Sequence, residues 1–206
     1  MFIGKYNKSV ILTYFGVGLA ISGIVLALNN NIHYAMLCLI VAGICDLFDG
    51  KIARMMKRTP EEKSFGVQID SLADMIDFVA LPVIIFYALG LTAWYHIALY
   101  IIYTLCAISR LGYFNISVEG VDTQEPVKHY RGLPVTYAAL IFPLIWLLSF
   151  LLSAGVFGIV YTASMAAVAL LFVTDIKIAK PRGAAYIFFL LLAIGMIAFI
   201  LYTGAK

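Results

Sequence analysis

Charge is what this sequence has least of. Of its 206 residues only 12% are charged and 64% are hydrophobic, where a soluble domain carries about 25% charged residues. A water-soluble fold is excluded, because no soluble core could hide that much apolar surface. Cysteine is also scarce: Cys38, Cys45 and Cys106 fall inside apolar runs at spacings that fit neither a disulfide framework nor a zinc site. They are expected to be core residues. Of the few histidines, His33 and His96 stand at expected helix ends without partners at ligand spacing, and are read as interfacial. No internal repeat, low-complexity segment or linker breaks the chain. The net charge of +3 suits a surface facing anionic lipid headgroups, not nucleic acid.

What the sequence has is long apolar runs. A membrane-spanning helix needs about 20 mostly apolar residues. Seven stretches approach that, at roughly 10–28, 32–57, 66–90, 93–117, 133–152, 155–174 and 184–203. They predict an all-α polytopic helical bundle in which 1–206 form a single membrane-embedded domain. The first run follows Lys5 and Lys8 as a signal sequence would, but no small-residue cleavage pattern closes it, so it is read as a retained helix. With the N-terminus inside, every lysine and arginine except Lys206 falls on the cytoplasmic side, as the positive-inside rule requires. The expected location is the inner membrane, with the C-terminus outside. Trp94, Tyr95, Tyr100 and Tyr103 suit an aromatic belt.

Carboxylates interrupt two of these runs. Asp46 and Asp49 lie three apart on the second, with Gly50, Ala53 and Arg54 following; Gly66, Asp70, Asp74 and Asp77 lie on the third. Helical positions three or four apart share a face, so each set forms a stripe. If residues 58–65 make a tight return, the two stripes converge near the cytoplasmic surface. Buried like charges are untenable without compensation. Divalent cations supply it, and an all-carboxylate ligand set suits hard ions such as Mg2+ or Mn2+. Asp46, Asp49, Asp70 and Asp74 are therefore the candidate metal ligands. The alternative is that the aspartates pair with Lys51, Arg54, Lys57 and Arg58 and that the small residues only allow close packing. Asp77 is read as a support behind the metals or an arginine partner. Gly50 and Ala53 allow close approach to the helix backbone, and Arg54 can fork onto a phosphate.

The run Asp46-x-x-Asp49-Gly50-x-x-Ala53-Arg54, then Gly66-x-x-x-Asp70-x-x-x-Asp74, resembles the signature of the CDP-alcohol phosphotransferases. The eleven residues between Arg54 and Gly66 exceed that family's usual spacing, and Thr59-Pro60-Glu61-Glu62-Lys63 are expected to lengthen the loop. The resemblance implies a six-helix core over about 1–175 with an added helix at about 184–203. It also implies two metals that bind the pyrophosphate of a CDP-lipid, with CMP displaced by an alcohol. Asp74 would be both metal ligand and general base, and Gly50, Ala53, Arg54 and Gly66 would line the CDP pocket. Homodimerisation is implied by the same analogy.

Three stretches resemble the phosphatidylserine synthase branch: Phe65 to Asp74, Ser109 to Asn115, and Tyr130-Arg131-Gly132-Leu133-Pro134. They imply CDP-diacylglycerol as donor and L-serine as acceptor. The acceptor candidates are Arg110, Asn115, Lys128 and Arg131. Arg110 either meets the serine carboxylate or snorkels to the headgroups, and Asn115 either adds a hydrogen bond or caps a helix. Lys128, His129 and Arg131 either contact lipid phosphate or mark the membrane edge. Thr13 resembles a threonine of the family's first helix, but the asparagine usual before it is Val10 here, and no role is assigned. Glycerol 3-phosphate or an inositol phosphate are alternative acceptors, and an archaeal-type lipid is an alternative donor. A cation transporter is the reading from another class; it would place its site at the midplane of repeated halves, and no repeat appears.

Overall fold

The computed structural model describes residues 4–5, 8, 10–118, 129–179 and 184–204. Helix α1 (Val10–Leu28) and helix α2 (Ile32–Met55) form a hairpin. Its turn is made by Asn29, Asn30 and Asn31, with Asn30 at φ +61°, a left-handed conformation that asparagine tolerates better than most residues. Gly16, Ala20, Gly23 and Ala27 are buried along one face of α1, and that stripe of small residues lets α2 approach closely. A Cβ added at Gly23 would stand 2.9 Å from the Cβ of Cys38.

The third helical unit begins earlier than the hydropathy suggests. Helix α3 (Pro60–Met75) starts within the stretch expected to be loop. Thr59 accepts a hydrogen bond from the Glu62 backbone N–H, and the Glu62 side chain accepts one from the Thr59 N–H, so a capping box with proline in the first turn nucleates the helix. The return between α2 and α3 is consequently only Met56–Thr59. A π turn (Ile76–Ala80) then joins α3 to α4 (Leu81–Ala88). The Phe78 carbonyl in that turn accepts a hydrogen bond from Tyr103 Oη at 2.6 Å.

Helix α5 (Trp94–Val118) follows, then strand β1 (His129–Arg131). A 3-10 turn (Val135–Tyr137), α6 (Ala138–Trp146) and a second 3-10 turn (Leu147–Phe150) make one short helical unit. Helix α7 (Ala154–Val173), strand β2 (Lys177–Ala179) and α8 (Ala184–Gly204) complete the described chain. The two strands pair antiparallel, with Tyr130 opposite Ile178, and tie the segment before α6 to the one before α8. The result is an all-α bundle with one small ribbon.

Among the described residues four helices, α1, most of α5, α7 and most of α8, are long and apolar enough to cross a membrane. The apolar unit at 135–150 is shorter. Phe86 stacks on Tyr161 with ring centroids 3.9 Å apart and meets Phe142 edge-on at 5.1 Å, a packed aromatic centre. Two expected belt residues belong inside: Tyr103 is fully buried, and Tyr100 is buried with its hydroxyl donating to the Leu91 carbonyl. Each tyrosine finds a backbone acceptor, which makes an interior position tolerable. Trp94 and Tyr95 are exposed. His96 is buried, its Nδ1 accepting from the Ala93 N–H, and His33 packs edge-on against Trp146. Cys45 is buried, while Cys38 and Cys106 are half-buried.

Candidate active site

The carboxylates gather where the C-terminal half of α2 faces α3. Oxygen atoms of Asp46, Asp49 and Asp70 all lie within 4.8 Å of one another. Asp74, one turn beyond Asp70, is 8% exposed and faces the same cavity. Among the described residues none of these four aspartates forms an ion pair; the ion pair that is present joins Arg131 to Asp175 at 3.7 Å, at the surface. Desolvated carboxylates so close together, offering only oxygen atoms, fit a hard divalent cation.

Asp49 is held by a residue given no role from sequence. Thr13 Oγ1 donates to Asp49 Oδ2 at 2.7 Å, so the start of α1 orients a carboxylate on α2. The Thr136 hydroxyl meets the Asp46 carboxylate from the unit that carries α6. Asp77 is buried behind the cluster and comes so close to α1 that a Cβ at Gly16 would sit 2.9 Å from its Oδ2. Its Oδ1 has no hydrogen-bond partner among the described residues, and no arginine meets it there.

Two cavities flank the cluster. One, of about 190 Å³, is lined by Thr13, Asp49, Gly50, Ala53, Arg58, Gly66, Asp70 and Phe114 among others. The motif's small residues therefore share one wall. A Cβ at Gly50 would meet nothing within 4 Å, whereas one at Gly66 would lie 3.5 Å from an Arg58 Nη. Arg58 Nε is shielded from solvent and lacks a partner among the described residues, which adds to this cavity a cation that the sequence reading named only as an alternative partner of the aspartates. The Arg54 side chain lies outside the described residues.

The other cavity, of about 220 Å³, is lined by Asp46, Asp49, Gly50, Asp70, Asp74, Arg110, Phe114, Thr136 and Tyr186 among others. Arg110 is 6% exposed. Its Nε donates to the Leu133 carbonyl at 3.2 Å, and its guanidinium carbon stands 5.8 Å from the Phe114 ring centre. It is thus held in the wall and does not snorkel. The Leu133 and Gly132 N–H groups bond the Leu171 and Ile176 carbonyls, so the end of α7 fixes the strap that fixes Arg110. Gly132 has φ +75°, and a Cβ there would meet the Phe172 carbonyl at 2.7 Å.

Asn115 is engaged elsewhere. It accepts from Ser71 Oγ at 2.8 Å and donates to Gln68 at 3.3 Å, fastening α5 to α3. Arg131 reaches a further cavity beyond Arg110, with Ser109, Tyr113 and Asp175. Lys128 lies outside the described residues, as does the His129 side chain.

An integral-membrane helical bundle with a carboxylate cluster between two cavities defines the class of protein. Residues 6–204 match the CDP-alcohol phosphatidyltransferase family, and the chain belongs to that family. It is 30% identical over 114 residues to the CDP-diacylglycerol–serine O-phosphatidyltransferase of Saccharomyces cerevisiae, covering 52% of this chain and 40% of the relative. It is 31% identical over 118 residues to the archaetidylserine synthase of Methanothermobacter thermautotrophicus, covering 57% and 48%. With the Bacillus subtilis CDP-diacylglycerol–serine O-phosphatidyltransferase it shares 29% identity over 115 residues, covering 55% and 60%. The chain spans about half the length of these relatives.

Proposed function

We propose that this protein transfers the phosphatidyl group of CDP-diacylglycerol to the hydroxyl of L-serine, yielding phosphatidylserine and CMP. The observation that carries the reading is the aspartate cluster with one cavity on each side, the first lined by the motif's small residues and the second by the buried Arg110. A two-substrate displacement needs such a divided site. Relatives named for serine transfer support the acceptor.

Asp46, Asp49, Asp70 and Asp74 are the residues that would hold two divalent cations, Mg2+ or Mn2+. Such ions, when bound, neutralise charge on the pyrophosphate and on departing CMP. Gly50, Ala53 and Gly66 admit the cytidine diphosphate close to the helix backbones, with Arg54 and Arg58 as cations for its phosphates. Arg110, pinned by Leu133, takes the serine carboxylate, and Arg131 draws the amino acid toward that cavity. Lys128 contributes to the same basic surface, and Asn115 acts by holding α5 against α3. Asp74 accepts the serine hydroxyl proton as the serine Oγ–phosphorus bond forms and the bond to CMP breaks. No covalent enzyme intermediate is needed.

The seven helical units span the inner membrane as one domain, with the aspartates on the cytoplasmic side, where the basic residues concentrate, and two copies associate. The similarity to an archaetidylserine synthase favours a second reading of the donor, an ether-linked CDP-lipid, with the acceptor unchanged.

Purified protein in detergent, supplied with CDP-diacylglycerol and Mn2+ or Mg2+, is tested for CMP release with serine, glycerol 3-phosphate and inositol phosphate in parallel. Serine-dependent release that Asp74→Asn abolishes is expected. Release with another alcohol instead would overturn the acceptor, and no release with any metal would overturn the activity.

A further inference from the structure

The cavity beyond Arg110 measures about 330 Å³, larger than either cavity that touches the aspartates. Arg110 lines both this cavity and the reaction cavity, so the two share it as a wall. Phe172 of α7, itself buried, forms another part of the lining. Arg131 and Asp175, with side chains 60% and 71% exposed, stand where the cavity opens to solvent.

The backbone fixes where these two charges stand. Arg131 lies in β1 opposite Lys177 of β2, two residues beyond Asp175, and the Gly132 N–H bonds the Ile176 carbonyl at 2.8 Å. The side chains are held less closely. Arg131 Nη1 and Asp175 Oδ2 are 3.7 Å apart, longer than the roughly 2.7–2.9 Å of a charge-assisted hydrogen bond, and an ion pair so open to solvent contributes little to stability. A guanidinium and a carboxylate side by side, neither saturated by the other, match a small molecule that carries a carboxylate next to an ammonium. An α-amino acid is such a molecule. An alcohol bearing a phosphate is not, because its negative charge would be brought against Asp175.

Resting on the serine transfer proposed above, we infer that serine enters through this cavity, its carboxylate on Arg131 and its ammonium on Asp175, before the carboxylate passes to Arg110 in the shared wall. Asp175 is then a specificity-determining residue. It favours an amino acid over glycerol 3-phosphate or an inositol phosphate before either reaches the aspartates. It holds the ammonium and not the reacting hydroxyl, so the chemical step does not depend on it.

Two measurements test this. The full chain in detergent, with Mg2+ and no CDP-lipid, is studied by saturation-transfer NMR with serine or with 3-hydroxypropionate, which keeps the hydroxyl and carboxylate of serine and lacks the ammonium. Stronger transfer to serine is expected in the wild type, and that preference should be lost in Asp175→Asn. Equal transfer to both in the wild type, or a preference for serine that survives the substitution, overturns the inference. In serine-dependent CMP release, Asp175→Asn should raise KM for serine about fivefold, the upper end for an ion pair open to solvent. The kcat and the KM for CDP-diacylglycerol should change little, and Asp175→Glu should recover most of the loss. A fall in kcat, or a rise in both KM values, would make Asp175 a structural residue of the ribbon and overturns the inference, as does an unchanged KM for serine. If Asp175→Asn does not fold, Asp175→Ser replaces it and is read in the same way. Absence of serine-dependent release by the wild type refutes the proposed reaction, whereas the NMR comparison reads the cavity without turnover.

Discussion

If the aspartates hold divalent cations as proposed, removing the Thr13 hydroxyl should weaken metal binding while leaving all four carboxylates in place. Thr13 Oγ1 donates to Asp49 Oδ2 at 2.7 Å from a different helix, and a hydrogen bond to a charged acceptor contributes about 1.5–3 kcal/mol. At 1.4 kcal/mol per factor of ten, the apparent metal affinity of Thr13→Val should drop roughly 10- to 100-fold, the range typical of residues that orient metal ligands. Thr13→Ser keeps the donor and should restore most of the affinity. The assay is CMP release against Mn2+ concentration at saturating lipid and serine. Thermal unfolding in detergent against Mn2+, with no substrate present, provides a readout independent of turnover. Both midpoints should move together in Thr13→Val, and kcat at saturating Mn2+ should change little. A Thr13→Val protein whose metal midpoints match the wild type would refute the argument that this hydrogen bond positions Asp49.

Gly132→Ala should disturb the acceptor side, because the new methyl would meet the Phe172 carbonyl at 2.7 Å and Arg110 at 3.3 Å in a left-handed backbone. Such strain costs about 1–3 kcal/mol; the midpoint of thermal unfolding should fall, and KM for serine should rise more than KM for the CDP-lipid. Tyr103→Phe leaves the buried Phe78 carbonyl without its side-chain donor. A loss of about 1–3 kcal/mol is expected, seen as a lower unfolding midpoint in detergent.

The helical units and the carboxylate stripes were legible because both are local patterns: apolar runs announce helices, and aspartates three or four apart announce a face. The start of α3 was misplaced although its signal was present, since Thr59, Pro60 and Glu62 spell a capping box that hydropathy overlooks. Thr13 was not legible. Its partner is 36 residues away, and only the α1–α2 packing brings the two together. Tyr100 and Tyr103 were misread for a related reason: a tyrosine in an apolar helix suits either an interface or a core with an acceptor, and the acceptors Leu91 and Phe78 belong to other parts of the chain. The β1–β2 ribbon, with three residues per strand, is too short to leave a period.

The π turn between α3 and α4 has a consequence for how the third helical unit tolerates change. One residue beyond α-helical register advances the face of a helix by about 100°. The segment carrying Asp70 and Asp74 and the segment from Leu81 to Ala88, which packs in the aromatic centre, are therefore indexed separately, and Ile76–Ala80 sets the angle between them. Deleting one residue there would leave hydropathy and length nearly unaltered while rotating one segment against the other. Either the aspartates or the aromatic packing would then turn away from its partners. The site thus depends on the count of residues in that turn as well as on their identity.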